Sequence, residues 1–225
     1  MGPALAVLGD SLLEGLADVR TNRILDPWPA LLSDALSTGR PGPTVRSWAT
    51  RGARVADVLH HQLPHALARE HQLAAVWAGL NDAVAGRLDT VRLAEDLGAV
   101  LGSLTAAGVT VLTAEMPLAR ESFPVPAAVI AALDRRIARV NEVTRALAVR
   151  HGTVHLRLGA DGPAPARHWF GPDCAHFSAT GHAVVAEAYR SLLQGSAPVA
   201  VPVAPQDDLT DRERLRWLAG HGLRW

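Results

Sequence analysis

The sequence predicts an α/β protein: a doubly wound, parallel sheet of about five strands with helices on both faces. Three observations carry that reading. Short apolar runs alternate with longer amphipathic stretches through most of the chain, as repeated βαβ units do. The short runs are apolar on both faces, as parallel strands buried between helices are. The chain has 225 residues, 48% of them apolar, enough for one substantial core and too few for two large domains.

In chain order, the apolar run Ala4 to Leu8 is the first strand, and the amphipathic run Pro29 to Leu36 the first helix. Thr44 to Trp48 is the second strand, and a helical pattern follows over Val55 to Glu70. Leu73 to Ala78 and Val109 to Ala114 are the third and fourth strands, with a helix over Thr90 to Ala107 between them. A long helix over Ala127 to Arg150 leads to the last strand, Thr153 to Leu156, and a further helix covers Ser178 to Leu193. A flavodoxin-like strand order suits this length, and in such sheets functional groups gather at the carboxyl ends of the strands.

After Gln194 the character changes. "GSAPVAVPVAPQDD" is rich in Pro and Ala and reads as an extended linker. In the stretch beyond it, Thr210 and Glu213 make a capping box, Leu215 and Leu218 share a face, and Gly220 and Gly222 stop the helix. The organisation expected is a body over residues 1–194, a linker over 195–208 and a helical segment over 209–225.

Composition excludes several classes. Basic and acidic residues balance at 22 each, so nothing asks for nucleic acid or an anionic membrane. Every basic residue is Arg, which rules out Schiff-base and P-loop lysine chemistry. Cys174 is the single cysteine and cannot form an internal disulfide. The chain opens on a strand-like run with neither a basic leader nor a cleavage site, and it has no long apolar run. The expectation is a cytoplasmic protein with no membrane span. Its oligomeric state is left open.

The chemistry concentrates at strand ends. In "LAVLGDSLLEG" the first strand stops at Gly9, and Ser11 stands where a helix-like stretch begins. Such a serine can be an N-cap, or a nucleophile beside free backbone N–H groups. In "GPDCAHFSATGH", Asp173 and His176 are three residues apart. On one helical turn Asp173 can then orient the His176 ring, whose other nitrogen is left to take a proton from a serine. Acyl transfer also needs oxyanion donors. Asn81 follows the third strand in "WAGLND" and Gly52 follows the second in "WATRGARV". Three strand ends thus each deliver one needed group.

"GDSL" at Gly9 to Leu12, Gly52, "GLND" at Gly79 to Asp82 and "DCAH" at Asp173 to His176 stand in the order of the four blocks of the SGNH, or GDSL, hydrolases, which the chain resembles from about Ala4 to Leu193. The resemblance implies a flavodoxin-like three-layer α/β/α sandwich and hydrolysis of esters or thioesters through a serine acyl-enzyme, with no metal and no cofactor. It makes Ser11 the nucleophile, His176 the general acid/base and Asp173 its orienting partner. The Ser11 amide, the Gly52 amide and the Asn81 side chain become the oxyanion hole. The linker and the terminal helix are not explained by the family's core.

Other signals are weaker. No G-x-S-x-G or P-loop pattern occurs. His60, His61, His65 and His71 read as a solvated helix face rather than a metal site. Asp10 and Asp82 read as loop braces, and Cys174 as a small buried residue. Trp28, Trp169 and Phe170 are the candidates for lining an acyl or leaving-group pocket, with core packing or loop anchoring equally open for them. The expected function is a serine esterase acting on a small or lipid-like ester. A thioesterase or acyltransferase using the same site is the first alternative, and a non-catalytic binding module on the same fold the second.

Overall fold

The computed structural model describes residues 4–14, 25–37, 42–159, 162–197 and 199–221. Of the two glycines expected to stop the last helix, Gly222 lies outside them, and Gly220 lies inside that helix, which runs on to His221. Among the described residues, β1 (Ala4–Gly9), β2 (Thr44–Ser47), β3 (Leu73–Trp77), β4 (Thr110–Ala114) and β5 (Val154–Leu156) form one sheet in the order β2-β1-β3-β4-β5, every pair parallel. This is the doubly wound, flavodoxin-like order. Each strand falls within one residue of its sequence expectation at both ends; β1, β3 and β4 are buried almost throughout, as runs apolar on both faces are, while the edge strands β2 and β5 are only partly buried.

The helices are α1 (Trp28–Ala35), α2 (Val55–Asp57), α3 (Leu63–Leu67), α4 (Leu80–Val84), α5 (Thr90–Ala106), α6 (Ala119–Ser122), α7 (Ala127–His151), α8 (Ala179–Gln194) and α9 (Asp211–His221). α1 packs on α8 over one face of the sheet, and α5 packs on α7 over the other. The helix expected over Val55 to Glu70 differs from what forms. Its middle is a π-helical turn, Val58–Gln62, in which the Leu63 N–H reaches back to Val58 O. Pro64 supplies the reason: it has no N–H, and its ring crowds the carbonyl four residues earlier, so the turn before it widens.

The core binds the sheet to the helices through aromatic residues. Trp28 stacks on Tyr189 at 4.8 Å, and the Trp77 indole N–H donates to the Tyr189 hydroxyl at 2.8 Å. That hydroxyl donates in turn to Thr113 O at 2.8 Å. Phe177, next to His176, meets Trp77 edge-on at 5.9 Å. The chain after β5 is therefore anchored on the central strand.

Two details position the end of β1. Gly9 has φ +148°, and a Cβ there would lie 1.9 Å from Trp77 O, so only glycine permits β1 and β3 to approach there. Gln62, buried on the π-helical turn, grips the same residue: Gly9 N–H donates to Gln62 Oε1 at 2.7 Å, and Gln62 Nε2 donates to Gly9 O at 2.9 Å. Among the described residues no helix is long and apolar enough to cross a membrane.

Candidate active site

β1 sends its chain to β2 on one side and β3 opens the other half, so the topological switch point lies between β1 and β3. Loops diverge there and leave a crevice beyond the carboxyl ends. Ser11 sits two residues past β1 and Asn81 four past β3, on either side of that crevice. The Ser11 turn is braced by its neighbour: Leu12 N–H donates to Asp10 Oδ1 at 3.0 Å.

Asp173 and His176 arrive from the other end of the chain on a loop closed upon itself. Phe170 and Phe177 bridge in antiparallel fashion, and Gly171 N–H donates to His176 O at 2.8 Å. Inside the loop, Asp173 Oδ1 accepts the N–H groups of Ala175 and His176 at 3.0 and 3.1 Å. Its other oxygen accepts from His176 Nδ1 at 2.7 Å. A carboxylate can only accept, so Nδ1 carries the proton and the Nε2 lone pair is free. Ser11 Oγ lies 3.0 Å from Nε2 and donates to it. Burial alone raises the Asp173 carboxyl, but the bonds from His176 and Ala175 more than offset this and hold it below its ordinary range. A hydroxyl, an imidazole and an ionised carboxylate in this chain can pass a proton from oxygen to ring.

The Gly52 turn is stitched to the Ser11 turn. Thr50 N–H donates to Gly9 O at 3.1 Å, and Arg51 N–H to Glu14 Oε1 at 3.0 Å. Gly52 has φ +77°, a conformation that disfavours side chains, and a Cβ there would meet nothing within 4 Å. The Asn81 amide spans both turns, donating to Ala53 O at 3.0 Å and to Asp10 Oδ2 at 3.3 Å. Its two N–H groups are thus engaged, the one to Asp10 by the longer bond. Asp82, beside it, accepts Val55 N–H at 3.1 Å and braces the start of α2.

Asp10 is 1% exposed. Desolvation by burial pushes its carboxyl up to about 7, against the lowering effects of the Leu12 N–H and of His176. A carboxyl raised in the fold is destabilising once ionised, so stability is retained at low pH and lost as pH climbs through the folded value. The Asp10→Asn variant lacks this loss. Its thermal stability relative to wild type is expected to rise between about pH 4 and pH 7 and to level off above, read from Tm across that range. A constant difference across the series overturns the assignment.

The three pocket candidates part company. Phe170 lines a small apolar recess together with Leu12, Leu80, Phe123, Cys174 and Ala175. Trp169 is 4% exposed, and Trp28 is fully buried, its backbone N–H donating to His182 Nδ1 at 3.2 Å; neither lines the recess. Trp28 instead belongs to the core, where its ring stacks on Tyr189. The Cys174 thiol is pushed up to about 11, chiefly by desolvation, so it stays protonated and is no competing nucleophile. His60, His61 and His65 are exposed, while His71 is buried apart from them.

Sequence reasoning missed Gln62, Asp207 and Arg214. Gln62 had a signal: it is a polar residue in line with Val55, Val58 and Ala66 on the buried face of its helix. Arg214 had none, because its neighbours Leu215 and Leu218 set the expected apolar face. In the structure Leu215 is 44% exposed and Arg214 fully buried.

Fold and site together define a class, a flavodoxin-like α/β protein with Ser11, His176 and Asp173 hydrogen-bonded in a row at the carboxyl edge of its sheet. The chain belongs to the GDSL-like lipase/acylhydrolase family, whose sequence pattern matches residues 7–184, and it is an ester-hydrolysing enzyme. Solved structures share the fold. An acetylxylan esterase from Geobacillus stearothermophilus matches with a TM-score of 0.67 and 14% identity, over 85% of this chain and 94% of that one. A lipase/acylhydrolase from Enterococcus faecalis matches at 0.65 and 14%, over 89% and 100%. The psychrotrophic esterase EstA from a Pseudoalteromonas species matches at 0.60 and 12%, over 86% and 98%. No curated protein matches in sequence.

Proposed function

We propose that the protein is a serine esterase working through an acyl-enzyme. The observation that carries the reading is the continuous chain Ser11 Oγ to His176 Nε2 at 3.0 Å and His176 Nδ1 to Asp173 Oδ2 at 2.7 Å. Ser11 Oγ attacks the acyl carbonyl as His176 Nε2 takes its proton. Asp173 holds the ring in the needed tautomer and stabilises the imidazolium that forms. The tetrahedral oxyanion is held by the Ser11 N–H, the Gly52 N–H and the Asn81 amide. His176 then protonates the departing alkoxide. Water repeats the sequence on the acyl-enzyme, and the acid leaves. No step calls for a metal or cofactor. The substrate is a small-molecule ester, with a cytoplasmic location in keeping with the free, buried Cys174.

The acyl group is short. The recess between Leu12, Leu80, Phe123 and Phe170 adjoins the residues flanking Ser11, Asn81 and His176 and is narrow, with about 30 Å³ in which the centre of a water-sized group can move. A recess this narrow suits a short alkyl tail better than a long chain. Among p-nitrophenyl esters, kcat/KM is expected to peak between acetate and butyrate and to fall for octanoate and longer. Phe123→Ala is expected to move the peak to longer chains. A wild-type profile that rises to long chains overturns the short-acyl assignment while leaving the serine mechanism standing.

A further inference from the structure

The loop that carries Asp173 and His176 is gripped at both ends by residues 199–221, which lie beyond the stretch 7–184 matched to the family. At its entry, Arg214 of α9 is fully buried. Its Nη1 donates to Phe170 O at 2.9 Å and Gly171 O at 2.7 Å, and its Nη2 to Arg167 O at 2.7 Å. One turn earlier on α9, Asp211 receives the Arg167 guanidinium at 2.6 and 2.7 Å. At the exit, buried Asp207 accepts the Thr180 N–H at 2.8 Å and its hydroxyl at 2.7 Å, in the first turn of α8.

Docking a helix does not require this arrangement. A leucine at position 214 would bury apolar surface without desolvating a charge, and burying a guanidinium costs several kcal/mol unless its donors are met. What a planar fork does, and a leucine cannot, is fix the positions of several carbonyls at once. Those carbonyls connect directly to the relay: the next donor along, Gly171 N–H, holds His176 O at 2.8 Å. At the other flank the Asp207 carboxylate faces the positive end of the α8 dipole, which sets where the chain leaves Phe177.

We propose that residues 199–221 are a clamp on the catalytic loop, with Arg214 and Asp207 as positioning residues that hold His176 within reach of Ser11. The inference rests on the reading of Ser11, His176 and Asp173 given above. A loop released by a fraction of an ångström still binds ester but presents the imidazole poorly, so the loss falls on kcat rather than on KM.

The test uses the full chain carrying Arg214→Met, Arg214→Lys or Asp207→Asn, assayed on p-nitrophenyl acetate well below each variant's Tm, with the downfield ¹H NMR signal of the His176 Nδ1–H···Asp173 bond recorded in parallel. The expected result for Arg214→Met is a fall in kcat of about ten- to a hundredfold, with KM within about threefold and a weakened or shifted downfield signal. Arg214→Lys, which keeps the charge but loses the fork, is expected to recover only part of the loss. A variant with lowered Tm but kcat within about twofold of wild type and an unchanged signal overturns the clamp and leaves α9 a stabilising appendage. Where Arg214→Met does not fold, Asp207→Asn is held to the same criteria. If wild type hydrolyses no ester, the proposed function fails; the NMR signal then decides the clamp by itself, supported if it weakens in the variants and overturned if it does not.

Discussion

Ser11→Ala is expected to lower kcat for ester hydrolysis by on the order of 10⁴-fold or more, with little change in KM or in Tm. The hydroxyl sits 3.0 Å from His176 Nε2 and makes no other hydrogen bond among the described residues. Its removal therefore deletes the proposed attacking atom and leaves the loop geometry in place. His176→Ala is expected to fall as far, and the double variant little further, because nucleophile and base act as one unit. Asp173→Asn tests the third member differently. It keeps the shape, yet its amide can donate towards Nδ1 and so favour the wrong tautomer of the ring. The measurement is steady-state hydrolysis of p-nitrophenyl acetate, with covalent labelling by a phosphonate ester as a second readout. A Ser11→Ala protein that turns over as fast as wild type removes Ser11 from the mechanism.

Asn81→Ala carries the second largest expected loss, about 10²- to 10³-fold in kcat. The ground state already engages both N–H groups of Asn81, with Ala53 O at 3.0 Å and Asp10 Oδ2 at 3.3 Å. The longer bond is the weaker one, and a developing oxyanion is a better acceptor than it. The amide is thus held in place by neighbours of Ser11 and of Gly52, and in the proposed role its gain comes only as charge appears on the substrate oxygen. That is transition-state stabilisation, so KM is expected to stay near the wild-type value. Asn81→Asp should be worse than Asn81→Ala, since it removes the donor and sets a second carboxylate against Asp10. Equal kcat values for wild type and Asn81→Ala would take the side chain out of the oxyanion hole and leave only the two backbone donors.

The amino-acid sequence carried most of the fold and pointed to every residue of the proposed relay. Strands apolar on both faces mark their own boundaries, and Ser11 and Asn81 are readable because each follows such a strand; Gly52 follows the edge strand β2, which is only partly buried. Asp173 and His176 are readable because their partnership is local, spanning three residues of one loop. Where a local pattern met a tertiary demand, the tertiary demand won. The helix over 55–70 looked regular, but Pro64 widened it into a π-helical turn that turns Gln62 onto Gly9. Trp28, which the sequence left open between pocket and core, stacks on Tyr189, 161 residues along the chain.

By itself, then, the sequence determined the order of strands and helices and the family, and it singled out the residues proposed for the relay, since each rests on short-range pattern and chemistry. Only the tertiary structure decided what those residues lean on: Gln62 behind Gly9, Asp10 behind Asn81, and Asp207 and Arg214 at the two ends of the loop that carries His176. The physical reason is burial. A glutamine, an aspartate or an arginine in the sequence reads as surface, because an unpaired polar group is costly to bury. Only the folded chain shows which of them has found enough partners to go inside.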